Sequence, residues 1–323
     1  MNSKFKVLIY EQIHTEGVKV LREKCDLVYA DSLEENALIT QVKDVDAIII
    51  RVHGAITRTL IESAKKLKVI GRHGAGLNHI DLKAAKEHGI RVVYRPEATS
   101  RSVAEHFVCL ALMLAKKMRE ADSVVRRRDW NSREKLISTE LFGKTLGIVG
   151  FGRIGKQIAR ICSKGFGMPV IYHRHTPISE AEKDLNTRSV HLKQLFQEAD
   201  FISINLPLTS ETQGLVNADL MRLMKPNAIL INTSRGAVWN EADLFRALRE
   251  QWFAGAGSDV FEEEPTNPDN PLFTLQNFIG TPHTAAHTEE GLIRMSLVAR
   301  DVLAVLEGRR PEFPVPEQLF RNK

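Results

Sequence analysis

Cysteine is scarce: Cys25, Cys109 and Cys162 are the three in 323 residues, scattered and each with apolar neighbours. No disulfide framework and no metal-binding spacing can be built from them, which suits a reducing cytosol. Long apolar runs are missing too. The longest, Phe107 to Ala115, is far below the roughly 20 residues that span a bilayer. The start, Met1 to Tyr10, holds a short strand-like run and no signal-peptide core or cleavage site. A cytoplasmic protein with no membrane partner is expected. A large charge excess is also absent. The net charge is +5, and the basic run Arg126-Arg127-Arg128 reads as a solvated surface or subunit contact rather than a nucleic-acid site. There is no low-complexity segment and no short repeat. What is present is 43% hydrophobic and 26% charged residues, enough core for two domains of ordinary size.

The first hundred residues alternate strand and helix. Apolar runs at Lys6–Tyr10, Asp26–Tyr29, Asp46–Ile50, Lys68–Gly71 and Arg91–Tyr94 read as strands. Helical patterns at Glu16–Lys24, Leu33–Lys43, Arg58–Leu67 and Leu82–His88 lie between them. This alternation means an α/β fold with a doubly wound parallel sheet, whose ligands sit beyond the carboxyl ends of the strands. Three of these strands run into arginines, Arg51, Arg72 and Arg95, joined by His53 and His73. Gly74-Ala75-Gly76 lies among them and could turn backbone N–H groups toward an anion. Such a rim favours an acidic small molecule; the competing reading is ordinary surface ion pairs.

A long helix is expected from Ser102 to about Asp122, opened by a capping box of Ser102 and Glu105. The cap accounts for Glu105, and His106 reads as a plain helix residue. The polar stretch Arg126–Glu140, with Trp130 inside it, reads as a connecting arm and part of a homodimer contact. A second alternating block follows. Six strands are expected, at Thr145–Gly150, Val170–His173, Phe201–Leu206, Ala228–Thr233, Gly255–Val260 and Phe278–Gly280, as in a Rossmann sheet. The tail, Glu289–Glu307, reads as one amphipathic helix stopped by Gly308. It needs a surface to pack on, and the first domain supplies one. The expected organisation is therefore a discontinuous, flavodoxin-like substrate-binding domain of residues 1–100 and 287–323, and a Rossmann dinucleotide-binding domain of residues 101–286.

Within Lys144 to Lys156 a β-branched strand breaks into Gly150, Gly152 and Gly155, spaced G-x-G-x-x-G, and becomes a helix. Gly150 permits the tight turn, Gly152 lets a pyrophosphate approach the backbone, and Gly155 lets the helix pack on the sheet. The helix N-terminus offers free N–H groups to the phosphates. An acidic residue about 20 positions on ordinarily holds a ribose 2′-OH. Here the next strand ends in His173 and Arg174 instead. A carboxylate repels a 2′-phosphate, whereas Arg and His attract one, so NAD(P)(H) is the expected cofactor, leaning to NADP(H).

Hydride transfer to a carbonyl needs a proton donor near neutrality, a cation that polarises the carbonyl and holds an acid, and a carboxylate that tunes the donor. His, Arg and Glu meet these needs. Arg235, the glutamates Glu262, Glu263 and Glu264, and His283 stand at strand ends of the second block. With 11 histidines in the chain and three adjacent glutamates, residue chemistry alone leaves the choice open.

These residues carry a resemblance to the D-isomer-specific 2-hydroxyacid dehydrogenases, the group that includes phosphoglycerate, glyoxylate and hydroxypyruvate enzymes. It extends over Leu67–Gly76, Ser102–His106, the glycine stretch, Leu206–Thr209, Asn232–Gly236, Asp259–Pro265 and Thr281–His283. The resemblance implies His283 as acid/base, Glu264, which directly precedes the proline, as its carboxylate partner, and Arg235 as the group that orients a 2-oxo acid. It implies cofactor contacts at Gly150, Gly152, Arg153, Ile154, Gly155, His173, Arg174, Leu206, Pro207, Thr212, Thr233, Ser234 and Asp259, the last on the nicotinamide amide. Substrate contacts are expected at Arg51, Arg72, His73, Ala75, Gly76 and Arg235. Two cues diverge. His173-Arg174 resembles NADP(H)-preferring glyoxylate and hydroxypyruvate reductases, while Arg51 and Arg72 match phosphate-binding positions of phosphoglycerate dehydrogenases. The favoured expectation is an acidic or phosphorylated substrate, with an NADPH-dependent glyoxylate/hydroxypyruvate reductase as the alternative. Corepressors of the same fold are the non-enzymatic alternative. With no regulatory domain after the last helix, serine feedback is not expected, and no metal is.

Overall fold

A computed structural model describes residues 4–174 and 187–320. Its internal contacts divide the chain into two units, one of the residues up to Thr99 with those from His287 onward, the other Ser100–Ala286.

The first unit is built on strands β1 (Phe5–Ile9), β2 (Cys25–Tyr29), β3 (Ala47–Ile50), β4 (Val69–Arg72) and β5 (Arg91–Tyr94). All pair in parallel, in the order β2-β1-β3-β4-β5, the flavodoxin-like order. Both faces are covered, so β3 is an unbroken apolar run rather than an alternating one. Leu8, Ile48, Ile50, Ile70 and Val92 enter the core on one face, and Val7, Ile9, Ile49, Val69 and Val93 that on the other. The second face is closed by the tail, where Val298 and Val302 pack. A Cβ on Gly71 would lie 2.6 Å from Val302 Cγ2, so its absence lets the tail helix settle onto β4. The tail is not the single helix expected. It is two, Glu289–Ser296 and Val298–Leu306, with Leu297 at ψ −1° between them. Following a curved sheet face requires a bend that amphipathic spacing does not encode.

The second unit holds seven parallel strands: β6 (Leu146–Val149), β7 (Val170–His173), β8 (Thr187–Ser189), β9 (Phe201–Ile204), β10 (Ile229–Asn232), β11 (Gly255–Ser258) and β12 (Phe278–Gly280). Their order is β12-β11-β10-β9-β6-β7-β8. The order reverses between β6 and β9, and ligands bind outside the carboxyl ends at such a switch point. The sequence reading of six strands missed β8. It is a three-residue strand, Thr-Arg-Ser, paired among the described residues only with β7, and carries no apolar run to mark it. The long helix also differs. It starts at Ser100, ends at Ala115, and resumes as Met118–Arg126 after Lys117 at φ +49°. Ser102 is therefore a buried residue inside the helix, and the capping box is not its start. The helix seats Ala104, Phe107, Leu110 and Ala111 in the core beside Ile229 and Ile231 of β10. Among the described residues, no helix is long and apolar enough to cross a membrane.

Candidate active site

The three glycines after β6 have separate steric reasons. Gly150 sits at φ +92°, and a Cβ there would come 2.5 Å from the Asn205 carbonyl oxygen. Around Gly152 nothing lies within 4 Å of a Cβ position, so a ligand has open access to the backbone. A Cβ on Gly155 would meet the Gly150 carbonyl at 2.7 Å and Ile148 Cγ2 at 3.0 Å, so the helix Arg153–Phe166 lies against its strand. Its first turn carries no acidic residue, leaving the helix N-terminus positive toward an anion. Two buried polar atoms at neighbouring strand ends, Asn205 Oδ1 and Thr233 Oγ1, have no protein partner among the described residues. An open amide cradle with unspent polar atoms beside it fits a dinucleotide.

The other expected cofactor residues lie on the first helical turn, at the end of β7 and on the loops that follow β9, β10 and β11. Arg153 is exposed and Ile154 half-buried on the first helical turn. His173 donates Nδ1–H to the Val190 carbonyl at 3.0 Å, and Arg174 is exposed. Leu206 is half-buried and Pro207 exposed. Thr212 donates its hydroxyl to the Pro207 carbonyl at 2.6 Å and accepts the Thr209 N–H at 2.8 Å, so it shapes the loop after β9. Ser234 bonds Asn232 Oδ1 through its N–H at 3.0 Å and its hydroxyl at 2.8 Å. Asp259 is 1% exposed, and its carboxylate accepts the Thr281 hydroxyl and the N–H groups of Thr284 and Ala285. It therefore organises the loop carrying His283.

Arg235 follows β10 and donates Nη1–H to the Ser234 carbonyl at 2.6 Å. Burial lowers its pKa from the usual arginine value and Glu264 opposes that shift; the guanidinium stays charged. His283 Nδ1 lies 2.7 Å from Glu264 Oε2, and Glu264 Oε1 accepts the Phe261 N–H at 2.9 Å. Burial pushes the Glu264 carboxyl up, but the bonds to His283 and Phe261 and the charges of His283 and Arg235 outweigh it and hold it below the ordinary range. The ionised carboxylate fixes Nδ1 as the donor and leaves Nε2 of the half-exposed ring for another partner. Two of the three adjacent glutamates, Glu262 and Glu264, separate by contact. Glu262 exchanges bonds with Glu241, its carboxylate accepting the Glu241 N–H at 2.9 Å, and so caps a helix rather than the histidine.

The cationic rim of the first unit is mostly spent. Arg72 donates to the carbonyls of Gly76, Arg51 and His73, so it ties the loops after β3 and β4 together. Arg95 pairs with Asp301 at 3.4 Å and lies over Phe313. His53 bonds Glu11 Oε1 at 2.8 Å. His73, expected as a cationic substrate contact, is 2% exposed, and among the described residues neither ring nitrogen has a partner. Burial, then Arg51 and Arg72, drive its pKa to about 3, so at neutral pH it is uncharged. Arg51 donates to the Gln12 carbonyl at 3.3 Å. Ala75 is exposed and Gly76 half-buried.

Sequence reasoning missed Glu11, which accepts the N–H groups of Val52 and His53 at 2.6 and 2.9 Å. It also missed Gly236. A Cβ there would fall 1.9 Å from the Phe261 carbonyl carbon, because the loops bearing Arg235 and Glu264 cross at that point. The N-T-S-R-G run was visible, but nothing in it announces the crossing.

Residues 108–285 match the family model described as D-isomer specific 2-hydroxyacid dehydrogenase, NAD binding domain. Over 309 residues the chain is 40% identical to a D-3-phosphoglycerate dehydrogenase from Methanocaldococcus jannaschii, covering 95% of this chain and 58% of that protein. It is 40% identical over 316 residues to a glyoxylate reductase from Thermococcus litoralis, with 95% of each covered. Among solved structures, an NADPH-dependent glyoxylate/hydroxypyruvate reductase from Sinorhizobium meliloti in complex with citrate superposes with a TM-score of 0.86 at 28% identity, over 97% of this chain and 98% of that one.

Proposed function

The chain belongs to the D-isomer specific 2-hydroxyacid dehydrogenase family, an NAD(P)-dependent oxidoreductase family acting on the CH–OH group, and from that premise we propose that it reduces a small, unphosphorylated 2-oxo acid of the glyoxylate or hydroxypyruvate kind, with NADPH preferred. Residues up to Thr99 and from His287 onward form its substrate-binding domain, and residues 100–286 its cofactor domain.

A dinucleotide held with its pyrophosphate at the Gly150–Gly155 turn would supply the hydride for the carbonyl carbon. His283 Nε2 gives its proton to the carbonyl oxygen, and Glu264, bonded through Nδ1, orients the ring and stabilises its charged form before transfer. Arg235 polarises the carbonyl and pairs with the carboxylate. The balance is 2-oxo acid, reduced cofactor and one proton giving 2-hydroxy acid and oxidised cofactor. In the reverse direction His283 accepts the hydroxyl proton.

The observation carrying the substrate choice is the state of the first unit's cations. A phosphorylated tail needs several uncommitted charges. Arg72 is turned onto three backbone carbonyls, Arg95 onto Asp301 and His73 is neutral, so Arg51, with one 3.3 Å bond to the Gln12 carbonyl, serves with Ala75 and Gly76 for a single carboxylate. The relationship to the glyoxylate reductase supports the same reading. Arg51 and the phosphoglycerate dehydrogenase relative support the second reading, a phosphorylated acid. Exposed Arg174 beside His173, with no acidic residue at that strand end among the described residues, supports NADPH.

A panel of glyoxylate, hydroxypyruvate and phosphohydroxypyruvate with each cofactor tests this. The expected best kcat/KM is for glyoxylate or hydroxypyruvate with NADPH, and Arg174→Ala lowers the NADPH value by about tenfold while sparing NADH. Preference for phosphohydroxypyruvate would establish the second reading instead.

We also propose a homodimer formed through residues 118–142, supported by the exposure of Met118, Val125, Trp130, Ile137 and Phe142. Ile137→Glu with Trp130→Glu is expected to give a monomer by light scattering; an unchanged mass ratio would exclude this face.

A further inference from the structure

We propose that His106 is a positioning residue for the reaction, acting through Thr281 and Asp259 on the loop that bears His283. The proposal rests on the reading of His283 as the acid–base.

His106 projects from the helix Ser100–Ala115 with its side chain 20% exposed. Its Nε2 lies 2.9 Å from Thr281 Oγ1, and that oxygen lies 2.6 Å from Asp259 Oδ1. A threonine hydroxyl has one proton, and an ionised carboxylate only accepts. Thr281 therefore donates to Asp259 and accepts from His106, which fixes the Nε2–H form of the ring. His106 Nε2 is also 3.7 Å from Asp259 Oδ1.

The rest of the network belongs to the histidine loop itself. Asp259 Oδ1 accepts the Thr284 N–H and Oδ2 the Ala285 N–H, each at 2.8 Å, and the Asp259 carbonyl accepts the His283 N–H at 2.8 Å. The loop is folded around one buried carboxylate, and His106 reaches this knot from a different element. What the knot holds is unusual. His283 has φ +53°, the left-handed region, without being glycine. Such a conformation persists only where its surroundings over-determine it. The ring Nδ1 of this residue lies 2.7 Å from Glu264 Oε2. Without His106, Thr281 loses its donor and the knot loses its anchor on the helix. A shift of about 1 Å at the ring is enough to cost about a hundredfold in rate.

The test uses the full chain and the variants His106→Leu, His106→Gln, Thr281→Val and Thr281→Ser, with His106→Leu also made on His283→Ala. The readouts are kcat and KM for glyoxylate reduction, cofactor Kd by fluorescence, and Tm. Expected is a loss of kcat of about ten- to hundredfold in His106→Leu and Thr281→Val, with cofactor Kd unchanged. His106→Gln keeps an N–H donor and Thr281→Ser keeps the hydroxyl, so both recover most of the rate. On His283→Ala, His106→Leu has no further effect. Wild-type kcat in His106→Leu, equal impairment of the leucine and glutamine variants, or a full additional loss on His283→Ala would each overturn the proposal. If His106→Leu does not fold, the Thr281→Val and Thr281→Ser pair decides it. Wild-type turnover by His283→Ala alone would instead overturn the acid–base reading beneath it.

Discussion

His73 is an uncharged base in a buried position, and that has a consequence for stability. Its unfolded value is 6.5 and its folded value about 3, because burial first and the Arg51 and Arg72 charges next oppose protonation. The folded state gives up proton affinity that the unfolded state keeps. Its stability contribution is whole above about pH 6.5 and declines as pH falls toward about 3. At about pH 4.5 the loss is about 2–3 kcal/mol. Neither ring nitrogen has a protein partner among the described residues, so His73→Leu forfeits no hydrogen bond. The variant is expected to lose less of its denaturation midpoint than the parent between about pH 7 and about pH 4.5. Equal acid sensitivity of the two proteins would show that His73 is not held neutral. Glu264 behaves in the same sense: a carboxyl held below its ordinary range stabilises the fold above that range and loses this as pH falls, while its pairing with His283 outlasts ordinary carboxylates into acid.

Among elements, the crossing of the loops after β10 and β11 matters most. Gly236 passes so close to Phe261 that any side chain collides with backbone, 1.9 Å from the carbonyl carbon and 2.0 Å from its oxygen. Backbone cannot rotate away as a side chain can, so Gly236→Ala must separate the loops that carry Arg235 and Glu264. The expected result is a fall in kcat of at least about a hundredfold and a cost of about 1–3 kcal/mol in stability, measured by steady-state kinetics and thermal melting. Near-normal activity would mean that the crossing is not needed. Sequence made the strand–glycine–helix turn legible because each glycine answers a separate steric demand, and the α/β alternation because buried parallel strands are short apolar runs. Residue chemistry alone did not separate Glu262 from Glu264, since the two have the same charge and differ in which neighbour they meet; the family resemblance did, through the proline that follows Glu264. Nor did it foresee that Arg72 and Arg95 turn inward onto carbonyls and Asp301; strand ends locate a long side chain without aiming it. Strand β8 and the breaks at Lys117 and Leu297 escaped because edge pairing and packing, rather than local pattern, produce them.

At the scale of the molecule, the described residues form two parallel sheets, of five and seven strands. The second carries the cofactor turn and, at the ends of β10, β11 and β12, Arg235, Glu264 and His283. These residues reach one region because parallel strands bring successive loops to the same edge, however far apart they stand in sequence. The first carries, at its own strand ends, a rim in which Arg72 is spent on backbone carbonyls and Arg95 pairs with Asp301. The claim that His283, held by Glu264, moves the proton is tested most directly by glyoxylate reduction in His283→Ala at saturating cofactor, with cofactor binding followed by fluorescence. Turnover is expected to fall by about a thousandfold while cofactor affinity is kept. Wild-type turnover with the histidine gone would contradict it.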